Sequence, residues 1–141
     1  MKYVSNMNQR TYSGYSIMTA VKKAHVTELQ HLHMVKSLAT IRAGCVKHLP
    51  IGHSLIPYDI LTAVIESELK HKELSVKQLF ATLPYSDMGI RYHIRKLTNG
   101  GWIVTIPTKA DKRVKTIHSE EKLRIQFALL KKDLDSVLSL S

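Results

Sequence analysis

Between Leu74 and His118 the chain reads LSVKQLFATLPYSDMGIRYHIRKLTNGGWIVTIPTKADKRVKTIH, and this stretch decides the fold. Ser75 and Gln78 have capping-box spacing: the hydroxyl takes the N–H of the third helical residue and the amide reaches back to the cap. Leu74 before the cap and Leu79 at the fourth helical position suit a hydrophobic staple. Val76, Leu79, Phe80 and Leu83 share one face, and Pro84 ends the helix. Ser86 is placed to cap a second helix, with Asp87 in its first turn where the helix dipole favours an anion. Gly100-Gly101 would close that helix with a left-handed cap. At about 100° per residue, Ile90, Ile94 and Leu97 fall on one narrow face with His93 on its flank. Met88, Tyr92, Arg95 and Asn99 fall opposite, with Arg91 and Lys96 at the edges. Trp102–Ile106 is β-branched and aromatic enough for a strand. Residues 107–113 then form a basic turn, and Val114–His118 suits the return strand. The expectation is helix, tight turn, helix and two-stranded hairpin, which is a winged helix-turn-helix.

A helix with aliphatic residues behind and Arg, Lys, Tyr and Asn in front suits the major groove of DNA. Taken alone it is equally an ordinary amphipathic surface helix; the hairpin tilts the balance. Residues 86–118 carry seven Lys/Arg (Arg91, Arg95, Lys96, Lys109, Lys112, Arg113, Lys115) against Asp87 and Asp111, a net +5 in one compact unit. Such a surface neutralises backbone phosphates, which supplies most sequence-independent affinity for nucleic acid.

The order of these elements, with Gly100-Gly101-Trp102-Ile103 and the wing's Asp111-Lys112-Arg113, resembles the MarR family of bacterial transcriptional regulators. The resemblance covers roughly residues 55–122. It implies that Asp111 holds Arg113 by a salt bridge and that Arg113 enters the minor groove. It also implies DNA contacts at Ser86, Met88, Gly89, Arg91, Tyr92 and Arg95, to which the basic pattern adds Lys96, Lys109 and Lys112. Met88 and Gly89 depart from the family's small hydroxyl residues, His93 from an aliphatic core residue, and Lys122 from the glycine after the wing. In the family the terminal helices build a homodimer, and some members bind a small-molecule effector between dimer helices and DNA-binding lobe.

The chain of 141 residues is the size of one domain, and its formal net charge of +10 points to an acidic partner. The charge is uneven: +6 over residues 1–49, −1 over 50–85, +5 over 86–118, and zero over 119–141. Residues 1–14 read as a flexible arm, and 15–141 as a single winged-helix domain. Ile17, Val21, Ala24, Leu29, Leu32, Val35, Leu38, Ile41, Cys45 and Leu49 recur at mostly helical spacing, as one long helix or as two broken near residues 25–27. Pro50–Ser54 is a loop. Pro57 and Asp59 suit the start of another helix, whose inner face would be Ile60, Leu61, Val64, Ile65 and Leu69. Ser119 is expected to cap the last helix. Its Leu123, Phe127, Leu130, Leu134 and Val137 form an a/d seam, read as the face that packs on a partner helix. The fold class is therefore mainly α with a small β-hairpin wing, the lobe 55–118 binding DNA and the segments 15–49 and 119–141 forming dimerisation helices.

The eight His residues show no zinc-site spacing, and His31 and His33 point to different faces of a helix; no metal and no cofactor is expected. His93 and His118 read as polar filler near DNA. The single Cys, Cys45, sits on the apolar spacing of its helix, so it reads as a buried structural thiol and fits a reducing compartment. No nucleophile–base set or phosphate-cradling Gly loop is present, so an enzyme is not expected. No run is apolar enough to span a membrane and no signal-peptide stretch opens the chain, so a cytoplasmic, nucleoid-associated protein is expected. The expected partners are double-stranded DNA, a second copy, and a small-molecule effector. Two alternatives stay open: a winged-helix module for protein–protein assembly, and a DNA-binding protein of plasmid or phage replication.

Overall fold

In the computed structural model, which describes residues 27–139, five helices and one hairpin follow in chain order. They are α1 (Glu28–His48), α2 (Ile56–Leu69), α3 (Val76–Thr82), α4 (Asp87–Asn99), β1 (Ile103–Pro107), β2 (Lys115–Ser119) and α5 (Glu121–Leu138). The chain divides into two compact units, Met1–Thr40 and Ile41–Ser141, with the division falling inside α1. The arm expected at residues 1–14, and the helical spacing from Ile17 to Ala24, lie outside the described residues.

Helix α1 starts where the sequence allowed a break. Thr27 and Gln30 form a reciprocal cap: the Gln30 N–H donates to Thr27 Oγ1 (3.3 Å), and the Thr27 N–H donates to Gln30 Oε1 (2.7 Å). In the second unit, the core gathers Cys45 and Leu49 from the end of α1, Ile60, Leu61 and Val64 from α2, and Leu79 from α3. Ile90, Ile94 and Leu97 of α4 join them, with Ile103 and Ile117 from the hairpin and Leu123, Leu130 and Leu134 from α5. Leu69 does not belong to this inner face, being 76% exposed at the last turn of α2. Burial raises the pKa of the Cys45 thiol, which suits a structural rather than a reactive group.

Expected to pack on a partner helix, the α5 seam finds most of its cover within the chain, Val137 alone standing outside the core cluster. Leu123, Leu130 and Leu134 are buried, and Phe127 packs against the same core. Gly44 explains the closeness: a Cβ there would sit 3.0 Å from Leu130 Cδ1 and 3.3 Å from Leu134 Cδ2. The absent side chain lets α1 and α5 approach, so the narrow seam suffices. A polar clasp joins the same two helices. Asp133 accepts from Lys47 Nζ and from His48 Nε2, both at 2.7 Å, and His48 Nδ1 meets Gln126 Oε1 at 3.0 Å.

Ser119 does not cap α5. It ends β2, and Glu120 takes the N-cap position without a side-chain cap bond. Glu68, at an inward position of α2, claims the serine instead. Its carboxylate accepts from the Ser119 N–H (2.7 Å) and from Ser119 Oγ (2.6 Å), while Arg124 Nη1 donates to the Ser119 carbonyl (2.7 Å). The hairpin is antiparallel, with Ile103 opposite Ser119 and Pro107 opposite Lys115. Its strands are shifted by one residue from the expected Trp102–Ile106 and Val114–His118. Segment 74–75 flanks β2, the Ile117 N–H donating to the Leu74 carbonyl (2.8 Å) and Ser75 bridging to Thr116.

Candidate nucleic-acid interface

The helix-turn-helix is built as its residue types require. Both halves of the Ser75–Gln78 capping box are present, and Ser86 Oγ accepts from the Gly89 N–H (3.2 Å) at the start of α4. The turn between the helices is pinned by Tyr85, whose hydroxyl donates to Asp59 Oδ2 (2.6 Å) in the first turn of α2. That bond stabilises the protonated phenol and raises the pKa of Tyr85. At its far end α4 closes in a Schellman motif: the Trp102 N–H donates to the Leu97 carbonyl, and the Gly101 N–H to the Thr98 carbonyl. Gly101 adopts φ +72°, the left-handed conformation glycine accepts without strain. Its neighbour Gly100 is needed for room, since a Cβ would fall 2.9 Å from Trp102 Cδ1. Lys122, which stands outside the family pattern, secures this corner. Its ammonium lies 4.5 Å from the centroid of the Trp102 ring and donates to the Gly100 carbonyl (3.0 Å).

These anchors leave α4 with Ile90, Ile94 and Leu97 buried and its opposite side in solvent. Met88 is 82% exposed and Tyr92 57%, and Arg91, Arg95, Lys96 and Asn99 are exposed beside them. Arg91 leans onto α3, its guanidinium 4.6 Å from the centroid of the Phe80 ring. Gly89 is the exception among the expected contact residues: it turns toward α2, where a Cβ would meet Ile56 Cδ1 at 3.4 Å. His93 is half-buried and set edge-on to Tyr92, with ring centroids 5.0 Å apart. Burial, aided by the charge of Lys96, lowers its pKa. His118 is engaged in the strand, with Nε2 2.9 Å from Thr116 Oγ1.

Lys109, Asp111, Lys112 and Arg113 are all exposed at the wing tip, but the implied salt bridge is not formed. Among the described residues no ion pair joins Asp111 to Arg113. Asp111 Oδ1 instead accepts from the Arg113 backbone N–H (2.9 Å). The tip is too tight for more: Thr108 Oγ1 donates to the Asp111 carbonyl (2.7 Å), the Val114 N–H donates to the same carbonyl (3.0 Å), and the Thr108 N–H to the Val114 carbonyl (2.8 Å). The carboxylate therefore shapes the loop and leaves the guanidinium of Arg113 to solvent.

Two recesses flank α4. One, about 620 Å³, lies beside Ile51 and His53 and is lined by Tyr92, His93, Lys96 and Trp102. The other, about 330 Å³, opens between α4 and the hairpin. Among the described residues no three His, Cys, Asp or Glu side chains converge on a metal-sized site. No helix of the described residues is long and apolar enough to cross a membrane.

No protein-family model and no curated protein matches the sequence. Among solved structures, the chain is similar to the YusO protein from Bacillus subtilis, with a TM-score of 0.60 and 15% identity over 88% of this chain and 79% of that one. It is also similar to the heme sensor protein PefR from Streptococcus agalactiae in complex with heme, with a TM-score of 0.51 and 19% identity over 82% of this chain and 80% of that one. Both are winged-helix proteins of the MarR type. At these identities the likeness establishes the fold, and it is the fold that residues 74–118 require.

Proposed function

We propose that the protein is a MarR-like transcriptional regulator that binds double-stranded DNA as a homodimer. Helix α4 enters the major groove and the wing reaches the minor groove. One observation carries the reading. A capped and core-anchored helix turns Met88, Arg91, Tyr92, Arg95 and Lys96 to solvent, and a hairpin tip bearing Lys109, Lys112 and Arg113 stands beside it in the same compact unit. A module for protein–protein assembly would present an apolar or uncharged face there instead. Ser86 and Asp111 serve by shaping the helix start and the wing tip. Gly89 contributes close packing rather than a contact. Two such helices related by a twofold axis would read half-sites about 34–36 Å apart.

The test is selection of bound duplexes from a random pool, followed by an anisotropy titration. The expected result is an enriched palindromic site whose affinity falls by about 10³ or more between low and moderate salt, as release of six or more phosphate counterions requires. Absence of binding to any duplex at low salt would exclude the reading.

A small-molecule effector is proposed for the recess of about 620 Å³ beside α4, a volume within the usual range of ligand sites. Because Tyr92 and Lys96 belong to both surfaces, occupancy there and DNA binding would oppose each other by linkage. PefR, of the same fold, is a heme sensor, so hemin is the first compound to titrate. A Soret shift with no loss of DNA affinity would separate binding from regulation and remove this part of the proposal.

A further inference from the structure

The recess between α4 and the hairpin has a composition that the reading face does not explain. Along its walls stand Arg91, Arg95, Thr98 and Asn99 from α4, Thr105 from β1 and Lys115 from β2, with Val76 and Ile94 behind them. Three of these are cations, none is a carboxylate, and among the described residues none of the three is ion-paired. Like charges gathered without an acid repel one another unless an anion joins them.

The pattern follows from the hairpin's pleat. Paired residues of an antiparallel ladder share a face, so Ile103, Thr105 and Pro107 lie on the same side as Ser119, Ile117 and Lys115. At the base, that side is apolar or buried and belongs to the core: Ile103, Ile117 and Ser119 are all buried. On the β1 side of that face Thr105, directly opposite Ile117, lines the recess beside α4, and one rung further out Lys115 does the same from β2. Thr98 already donates to the Ile94 carbonyl (2.8 Å), which leaves the Asn99 amide, the Thr105 hydroxyl and the cations as donors toward the recess.

We propose that this recess is a seat for one backbone phosphate of the bound duplex, with Lys115 and Arg95 closing on it from the hairpin and the helix. The inference rests on the DNA-binding reading and adds to it a residue, Lys115, outside both the recognition helix and the wing tip. A phosphate held here would fix the rotation of α4 in the groove, since it is gripped by both elements at once. It carries no sequence information, as phosphate contacts position while base contacts specify.

The experiment is the salt dependence of duplex affinity for the full chain, measured on a selected and a scrambled duplex for wild type, Lys115→Gln and Lys115→Arg. Each phosphate neutralised contributes about −0.9 to the slope of log Kobs against log salt. Lys115→Gln is therefore expected to reduce the slope by about 0.9 per protomer and to weaken both duplexes by the same factor. Lys115→Arg is expected to keep the slope. Lys115 is exposed, so an unchanged melting temperature should accompany both variants. An unchanged slope in Lys115→Gln, with wild type still binding, would overturn the seat and leave the DNA reading standing; no binding by wild type would overturn both. Titration of inorganic phosphate without DNA, followed by the amide resonances of Thr105 and Lys115, separates the sources. Saturable binding that the selected duplex does not displace would assign the recess to a free anion and reject the backbone occupant.

Discussion

Arg91 occupies the line where the outward face of α4 meets α3, and its guanidinium rests on Phe80. Stacking of this kind limits the side chain's freedom before any DNA arrives, so less entropy is lost on contact. Arg91→Ala is expected to cost about 1–3 kcal/mol on the selected site and to relax sequence preference there, read by competition between selected and scrambled duplexes. Full discrimination by the variant would move the reading face elsewhere. A second residue-scale prediction concerns His71, which holds φ +53° at the end of α2. Its N–H donates to the Glu68 carbonyl and that of Lys72 to the Ser67 carbonyl, a Schellman motif with a non-glycine residue in the left-handed position. His71→Gly should stabilise the protein by roughly 1 kcal/mol, seen as a rise of a few degrees in Tm. The contrast between the two helix ends shows what a sequence makes legible. Gly100-Gly101 announces its cap because glycine is the usual solution; His71 does not, because the backbone takes the same shape without the usual residue.

At the scale of elements, capping and periodicity were sufficient for the helix-turn-helix, and tertiary bonds decided the rest. The hairpin shifted by one residue because Glu68 draws Ser119 into the strand's end, and a carboxylate 51 positions away leaves no local signal. The Asp111–Arg113 spacing was legible, but which group of Arg113 the carboxylate takes depends on how tightly Thr108 and Val114 close the tip. The α1–α5 clasp was likewise hidden, because Lys47, His48 and Asp133 are brought together only by folding. It carries a pH prediction. Hydrogen bonds from Lys47, then His48, hold Asp133 down from 3.8 to about 2. The folded state therefore binds fewer protons than the unfolded one in this interval. The clasp's contribution is complete above the ordinary aspartate value of 3.8 and is lost as pH falls toward about 2. Thermal melts across that window should fall more steeply for wild type than for Asp133→Asn. Parallel slopes would show that the clasp adds nothing to stability.

For the whole molecule, Leu123, Leu130 and Leu134 of the seam are buried inside the chain while Phe127 and Val137 stay half-buried, so a dimer would draw on further exposed surface. Leu32, Val35 and Ala39 follow one another at spacings of three and four along α1, and all are exposed. On α5, Ile125 and Leu129 are exposed on the side turned away from Leu123, Leu130 and Leu134. A substitution in the old seam could not test association, since a charge at Leu134 would enter the core and unfold the protomer before any interface was reached. Charges on the exposed residues leave the core untouched. Leu32→Asp with Val35→Asp is therefore expected to convert a dimer at micromolar concentration into a monomer, seen by sedimentation, with the melting of the helix-turn-helix core retained. Specific DNA affinity should fall with it, because one recognition helix offers a single half-site and loses the effective concentration that a second, linked helix provides. Wild-type protein sedimenting as a monomer at that concentration would remove the palindromic operator along with the dimer. A dimeric double variant would instead place the interface on another face.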